Sequence, residues 1–85
     1  MNWVLRLHER VKKSVVRFPR KDQIKINDAL VEMSVNPYSG DLVKLEAQDN
    51  LWRRRVGAYR IKFQIIEAQK AVYIYEVERR TSKTY

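Results

Sequence analysis

The residues best suited to chemistry in this chain are basic. The stretch from Trp52 to Phe63 carries Arg53, Arg54, Arg55, Arg60 and Lys62, with no acid between Asp49 and Glu67. Charge concentrated in this way fits a polyanion, and nucleic acid is the polyanion to which the pattern points. A second basic stretch, Arg79-Arg80-Thr81-Ser82-Lys83-Thr84-Tyr85, adds two arginines, a lysine, hydroxyl groups and a final aromatic. Its composition alone describes a frayed, solvated tail. Folded back onto a sheet, the same tail would let Tyr85 stack on a base or exchange a proton, and let Arg79 pair with a phosphate.

The common catalytic sets are missing. His8 is the single histidine, so acid–base catalysis by two histidines is unavailable. There is no cysteine, hence no thiolate nucleophile, disulfide or thiolate metal site. Gly40 and Gly57 are the only glycines, too few for a phosphate-cradling loop. Asp41, Glu46 and Asp49 form a loose acidic group whose spacing is nonspecific for a metal. They read as solvated loop acids, with Glu46 kept as a possible base. Glu76 and Glu78 are expected to pair with neighbouring arginines. What remains is arginine, lysine and tyrosine. RNA can be cut with these, because it brings its own nucleophile. Fixing the 2′-OH in line with the leaving 5′-oxygen, and stabilising the charge on the phosphorane, is sufficient chemistry. Arginine serves the second task and is a poor base. Such an enzyme depends on something else to orient its substrate.

These residues must be positioned by a small scaffold. The 85 residues fit one domain, 45% are apolar, 33% are charged and the net charge is +8. That charge exceeds what solubility requires. No segment approaches the roughly 20 apolar residues of a membrane span, and no secretion signal opens the chain. Trp3 to Leu7 reads as a first strand. Leu7, Val11, Val15 and Phe18 then recur at helical spacing up to Pro19. A second helix is expected from about Lys21 to Val35, with Ile26, Ala29, Leu30 and Met33 as its apolar stripe. Asn36-Pro37 stops it, and Ser39 to Asp41 is read as a loop. Strand periodicity follows: a short Leu42 to Leu45, then Leu51 to Val56, Tyr59 to Ile66 and Ala71 to Val77.

The order βααβββ, with an added short strand, defines an α+β domain: two N-terminal helices packed on a mostly antiparallel sheet with one open basic face. Alternation in Tyr59 to Ile66 sends Tyr59, Ile61, Phe63 and Ile65 to the core and Arg60, Lys62 and Gln64 to the open side. Arg53 and Arg55 share a face opposite Trp52, Arg54 and Val56. The open face is therefore expected to present Arg53, Arg55, Arg60 and Lys62 together.

The element order, the approach from Leu45 to Asn50, the motif Trp52 to Ile61 and the basic segment ending in Tyr85 together resemble the RelE/ParE toxin superfamily over essentially the whole chain. In its RelE-like branch the resemblance implies a type II toxin: a ribosome-dependent mRNA endoribonuclease that cuts in the A site by 2′-OH attack. Carried over by motif, the implied catalytic set is Arg53, Arg55, Arg60, Arg79 and Tyr85, with Arg54, Lys62, Arg80 and Lys83 binding RNA. Family members often have lysine where this chain has Arg53 and Arg55, which moves the base role towards Tyr85. The resemblance further implies a cognate RelB-like antitoxin, a higher-order toxin–antitoxin complex, the ribosome and mRNA as targets, no cofactor, no metal, no membrane and a cytoplasmic location. The alternative is the ParE branch, whose members poison DNA gyrase without nuclease activity and generally lack the full basic-plus-tyrosine set. A plain RNA-binding module would instead show steep salt dependence and no cleavage.

Overall fold

A computed structural model describes residues 3–45 and 50–80. The elements are β1 (Val4–Leu7), α1 (Glu9–Val15), α2 (Arg20–Val35), β2 (Asp41–Lys44), β3 (Leu51–Val56), β4 (Tyr59–Ile66), a 3₁₀ turn (Glu67–Gln69) and β5 (Ala71–Arg79). The strands form one sheet in the order β1-β5-β4-β3-β2. Only β1 and β5 run parallel; the other pairs are antiparallel. The expected α+β arrangement is thus what the chain adopts, and the short strand before β3 is real. It starts at Asp41, which the sequence placed in a loop.

Local chemistry explains the boundaries. His8 caps α1, its Nδ1 accepting from the Arg10 N–H at 3.0 Å. The helix stops at Val15, three residues short of the periodic pattern. Phe18 precedes Pro19, which disfavours helical backbone at Phe18, and residues 16–18 close with tighter bonds such as Phe18 N–H to Val15 C=O. The Gln23 amide donates to the Phe18 carbonyl at 2.8 Å and ties this turn to α2. Between β3 and β4 the loop is Gly57-Ala58, with Gly57 at φ +58. A two-residue hairpin needs positive φ at such a position, and glycine accepts it without strain.

Both helices cover one sheet face. Val11 from α1 and Ile26, Ala29 and Met33 from α2 meet Ile61, Phe63, Ile65, Val72, Ile74 and Val77 in the core. At one margin Tyr38 stands edge-on between Trp3 and Trp52, at 6.4 and 5.8 Å between ring centres. Trp52, the aromatic of the basic motif, is therefore part of the packed side. No helix among the described residues is long and apolar enough to cross a membrane.

One irregularity sets which side chains face out. Phe63 pairs with Ile74 and Lys62 with Glu76, so Tyr75 is an extra residue in β5. A bulge of this kind reverses the alternation beyond it. After Tyr75 the core side receives Val77 and Arg79, and the open side receives Glu76 and Glu78.

Candidate nucleic-acid interface

Strand register arranges the open face as two rows that cross β2, β3, β4 and β5. One row is Asp41, Arg55, Arg60 and Glu78; the next is Val43, Arg53, Lys62 and Glu76. Arg55 and Arg60 lie directly opposite each other, a repulsive pairing that would be destabilising alone. The outer acids offset it. Arg55 Nε lies 3.1 Å from Asp41 Oδ2, and Arg60 lies 3.6 Å from Glu78. Lys62 is shared between Glu76 at 3.4 Å and Glu78 at 3.5 Å. Glu78 pairs with an arginine as expected, whereas Glu76 is held by Lys62 instead.

A small cleft of about 40 Å³ opens on this face, lined by Asp41, Val43, Arg53, Arg55, Arg60 and Arg80. Arg53 and Arg80 make no ion pair among the described residues, so their charge is available to a ligand. Arg80 is held by a main-chain bond from its N–H to the Ala58 carbonyl. That bond brings the end of β5 back to the hairpin turn and so beside Arg60.

Not every basic residue named from sequence joins this group. Arg53, Arg55, Arg60 and Arg80 converge; Lys62 is adjacent but engaged by two carboxylates. Arg79 pairs with Tyr59 across the strands and lies on the helix side, its guanidinium 5.8 Å from the Tyr59 ring centre. Tyr59 is anchored in turn by Phe18, at 4.5 Å, and by donating to Asp22 at 2.7 Å. Burial, then this hydrogen bond, raises the Tyr59 phenol above its ordinary value, and Arg79 opposes the rise.

Arg54 is a second departure, because an RNA contact is closed to it. It is 7% exposed on the helix side. Its guanidinium pairs with Glu32 and reaches the Ala29 carbonyl and Ser39 Oγ at 3.5 and 3.4 Å. Gly40, at φ +89, packs against it so closely that a Cβ would lie 2.6 Å from Nε. Asp41 is a strand residue in the cleft and not a loop acid, although it is exposed, and its place opposite Arg55 follows from the register of a four-residue strand. Tyr85 and Lys83, with Glu46 and Asp49, lie outside the described residues.

Comparison with known proteins places this geometry. No protein-family model matches the chain. The RelE1 toxin homologue of Methanocaldococcus jannaschii is 23% identical over 83 residues, covering 94% of this chain and 92% of that protein. Among solved structures, RelE in the archaeal RelE–RelB complex from Pyrococcus horikoshii OT3 superposes with a TM-score of 0.85 at 22% identity, covering 98% of this chain and 100% of the other. Isolated E. coli RelE gives 0.81 at 19% identity, covering 95% and 87%. The architecture is the RelE fold, and the resemblance read from the hairpin and the element order is borne out.

Proposed function

We propose that this chain is the toxin of a RelBE-type type II toxin–antitoxin system, acting in the cytoplasm as a ribosome-dependent mRNA endoribonuclease. The observation that carries the reading is the arginine cleft: Arg53, Arg55, Arg60 and Arg80 gathered on the uncovered face of a RelE fold. Unpaired Arg53 and Arg80 meet the scissile phosphate first. Arg60 exchanges its loose 3.6 Å contact with Glu78 for the more highly charged phosphorane. The 2′-oxygen attacks phosphorus, the bond to the 5′-oxygen breaks, and a 2′,3′-cyclic phosphate and a 5′-hydroxyl result. Tyr85 stacks on the base beside the cut or takes part in proton transfer. The cleft is small, about 40 Å³, with room for little beyond phosphate, which fits an enzyme that relies on the ribosomal A site to hold mRNA in line.

The partner in this reading is a RelB-like antitoxin, as in the complexes from P. horikoshii and Mycobacterium tuberculosis that share the fold. A basic surface suits an acidic inhibitor, and the assembled complex is of higher order. The test uses ribosomes programmed with a defined mRNA and an empty A site, beside the same mRNA alone. New 3′ ends at the A-site codon, with ribosomes only, are expected. Folded protein that cuts in neither tube would overturn the nuclease reading.

A further inference from the structure

An acid in a phosphate-binding cleft requires a reason. Asp41 is the one carboxylate among the described residues that line the arginine cleft. It repels the phosphate that its neighbours attract. Its ion pair with Arg55 is exposed on both sides, 56% for Asp41 and 58% for Arg55, and such pairs contribute little to stability. Binding therefore leaves Asp41 unexplained, and its offset of the Arg55–Arg60 repulsion accounts for only a small part of folding. Proton transfer explains it. Arginine cannot act as the base, and Lys62, the one lysine in the two rows, is taken up by Glu76 and Glu78.

We infer that Asp41 is the general base that takes the proton from the 2′-OH. The inference rests on the nuclease reading above and assigns a role within it. One carboxylate oxygen accepts from Arg55 Nε at 3.1 Å, which fixes the side chain and leaves the other oxygen for the hydroxyl. Arg53, Arg55, Arg60 and Arg80 line the same cleft and are placed to hold the phosphate beside it. In the step, the 2′-O–H proton passes to Asp41, the 2′-oxygen bonds to phosphorus, and the P–O5′ bond breaks. The departing 5′-oxygen takes a proton from water, and Asp41 then releases its own to solvent. Among the described residues Glu78 is the nearest competitor, but it bridges Arg60 and Lys62 at 3.6 and 3.5 Å and lies outside the cleft lining; Tyr85, in this assignment, stacks on the base beside the cut instead of taking the 2′-OH proton.

The buried side of the sheet holds Asp41 in place. Arg54 is bound to Glu32, Ala29 and Ser39 and packs on Gly40, the residue before Asp41. The start of β2 is thus clamped between a buried guanidinium below and Arg55 above.

The test is single-turnover cleavage on A-site-programmed ribosomes by the wild type, Asp41→Asn, Asp41→Glu and Glu78→Gln. Binding is followed in parallel on ribosomes whose mRNA carries a 2′-deoxynucleotide at the cut site. Asp41→Asn is expected to lower the cleavage rate roughly 100-fold or more, the usual scale for a lost general base. Its binding should be equal or tighter, because a negative charge is gone, and Asp41→Glu should restore part of the rate. Wild-type cleavage with an undiminished Asp41→Asn rate would overturn the assignment and leave the nuclease reading standing. So would a Glu78→Gln loss larger than that of Asp41→Asn. A wild type that does not cut would remove both.

Discussion

Replacing Arg79 and Arg80 one at a time separates the residue the motif points to from the residue the cleft contains. Arg79 meets the Tyr59 ring at 5.8 Å and is largely exposed. Removing an exposed cation–π contact costs about 0.5–1 kcal/mol, which in a domain of this size lowers Tm by about 2–8 °C. Arg79→Ala should show that loss and at most a few-fold change in cleavage. Arg80 has its main chain pinned to Ala58 and its side chain in the cleft. Arg80→Ala keeps the main-chain bond, so its stability should stay within about 0.5 kcal/mol of wild type. A hydrogen bond to a charged group is worth about 1.5–3 kcal/mol, so cleavage should fall roughly ten- to hundred-fold. Thermal melts and single-turnover cleavage on programmed ribosomes measure both quantities on the same samples. Refutation would be a folded Arg79→Ala that loses cleavage while Arg80→Ala retains it, for then the side chains would exchange places when substrate binds.

Three further outcomes are expected. Glu32→Ala leaves the Arg54 guanidinium buried with only neutral acceptors, so it should cost about 2–3 kcal/mol, whereas Arg54→Met returns a mostly exposed Glu32 to water and should cost about 1 kcal/mol or less; urea denaturation of the two variants checks the asymmetry. Gly40→Ala combines positive-φ strain with a clash against Arg54 and should lose about 2 kcal/mol, together with cleavage activity if it displaces Asp41. Tyr59 has a raised folded-state pKa, so its contribution is fully present below its unfolded value and fades as pH rises through the higher folded value. The stability advantage of wild type over Tyr59→Phe should therefore be constant below the ordinary phenol value of 10.0 and shrink above it, and a difference that stays constant as pH rises past that value would contradict the Tyr59–Asp22 bond.

The architecture was legible because its cues are local. Alternation in Tyr59 to Ile66 places Tyr59, Ile61, Phe63 and Ile65 inside, and all four are buried. The apolar stripe of the second helix names Ile26, Ala29 and Met33 correctly for the same reason. The site was legible in part. Arg53, Arg55, Arg60 and Lys62 share the open face as strand parity requires. The same parity puts Arg54 on the covered side, so its position in the strand, not its charge, decides that it packs against the second helix and not on RNA. Arg79 and Arg80 depend on something else. Counting back from Tyr85 selects Arg79, whereas the bulge at Tyr75 decides which of the two faces out. No residue type marks that bulge: Tyr73, Ile74, Tyr75 and Val77 are all good strand formers, and the register appears only once β5 lies against β4.

The net charge of +8 overstates the attraction of the open face and hides how it is divided. Towards β5, Glu76 and Glu78 hold Lys62 and Arg60; towards β2, Asp41 holds only Arg55. The hairpin is thus nearly neutralised along one flank, while Arg53 and Arg80 remain open in the cleft. An RNA strand laid at random across the sheet meets paired charge over much of its path and gains little, because displaced carboxylates must be left uncompensated. A phosphate delivered to the cleft meets two unpaired guanidinium groups and a third that is loosely held. Weak binding along the face and stronger stabilisation at one point would both follow from where Asp41, Glu76 and Glu78 are placed among these bases. That division suits the proposed nuclease reading, in which another assembly supplies the substrate in position: affinity for free RNA would hold such an enzyme away from its target, whereas charge reserved for the transition state would accelerate the step itself.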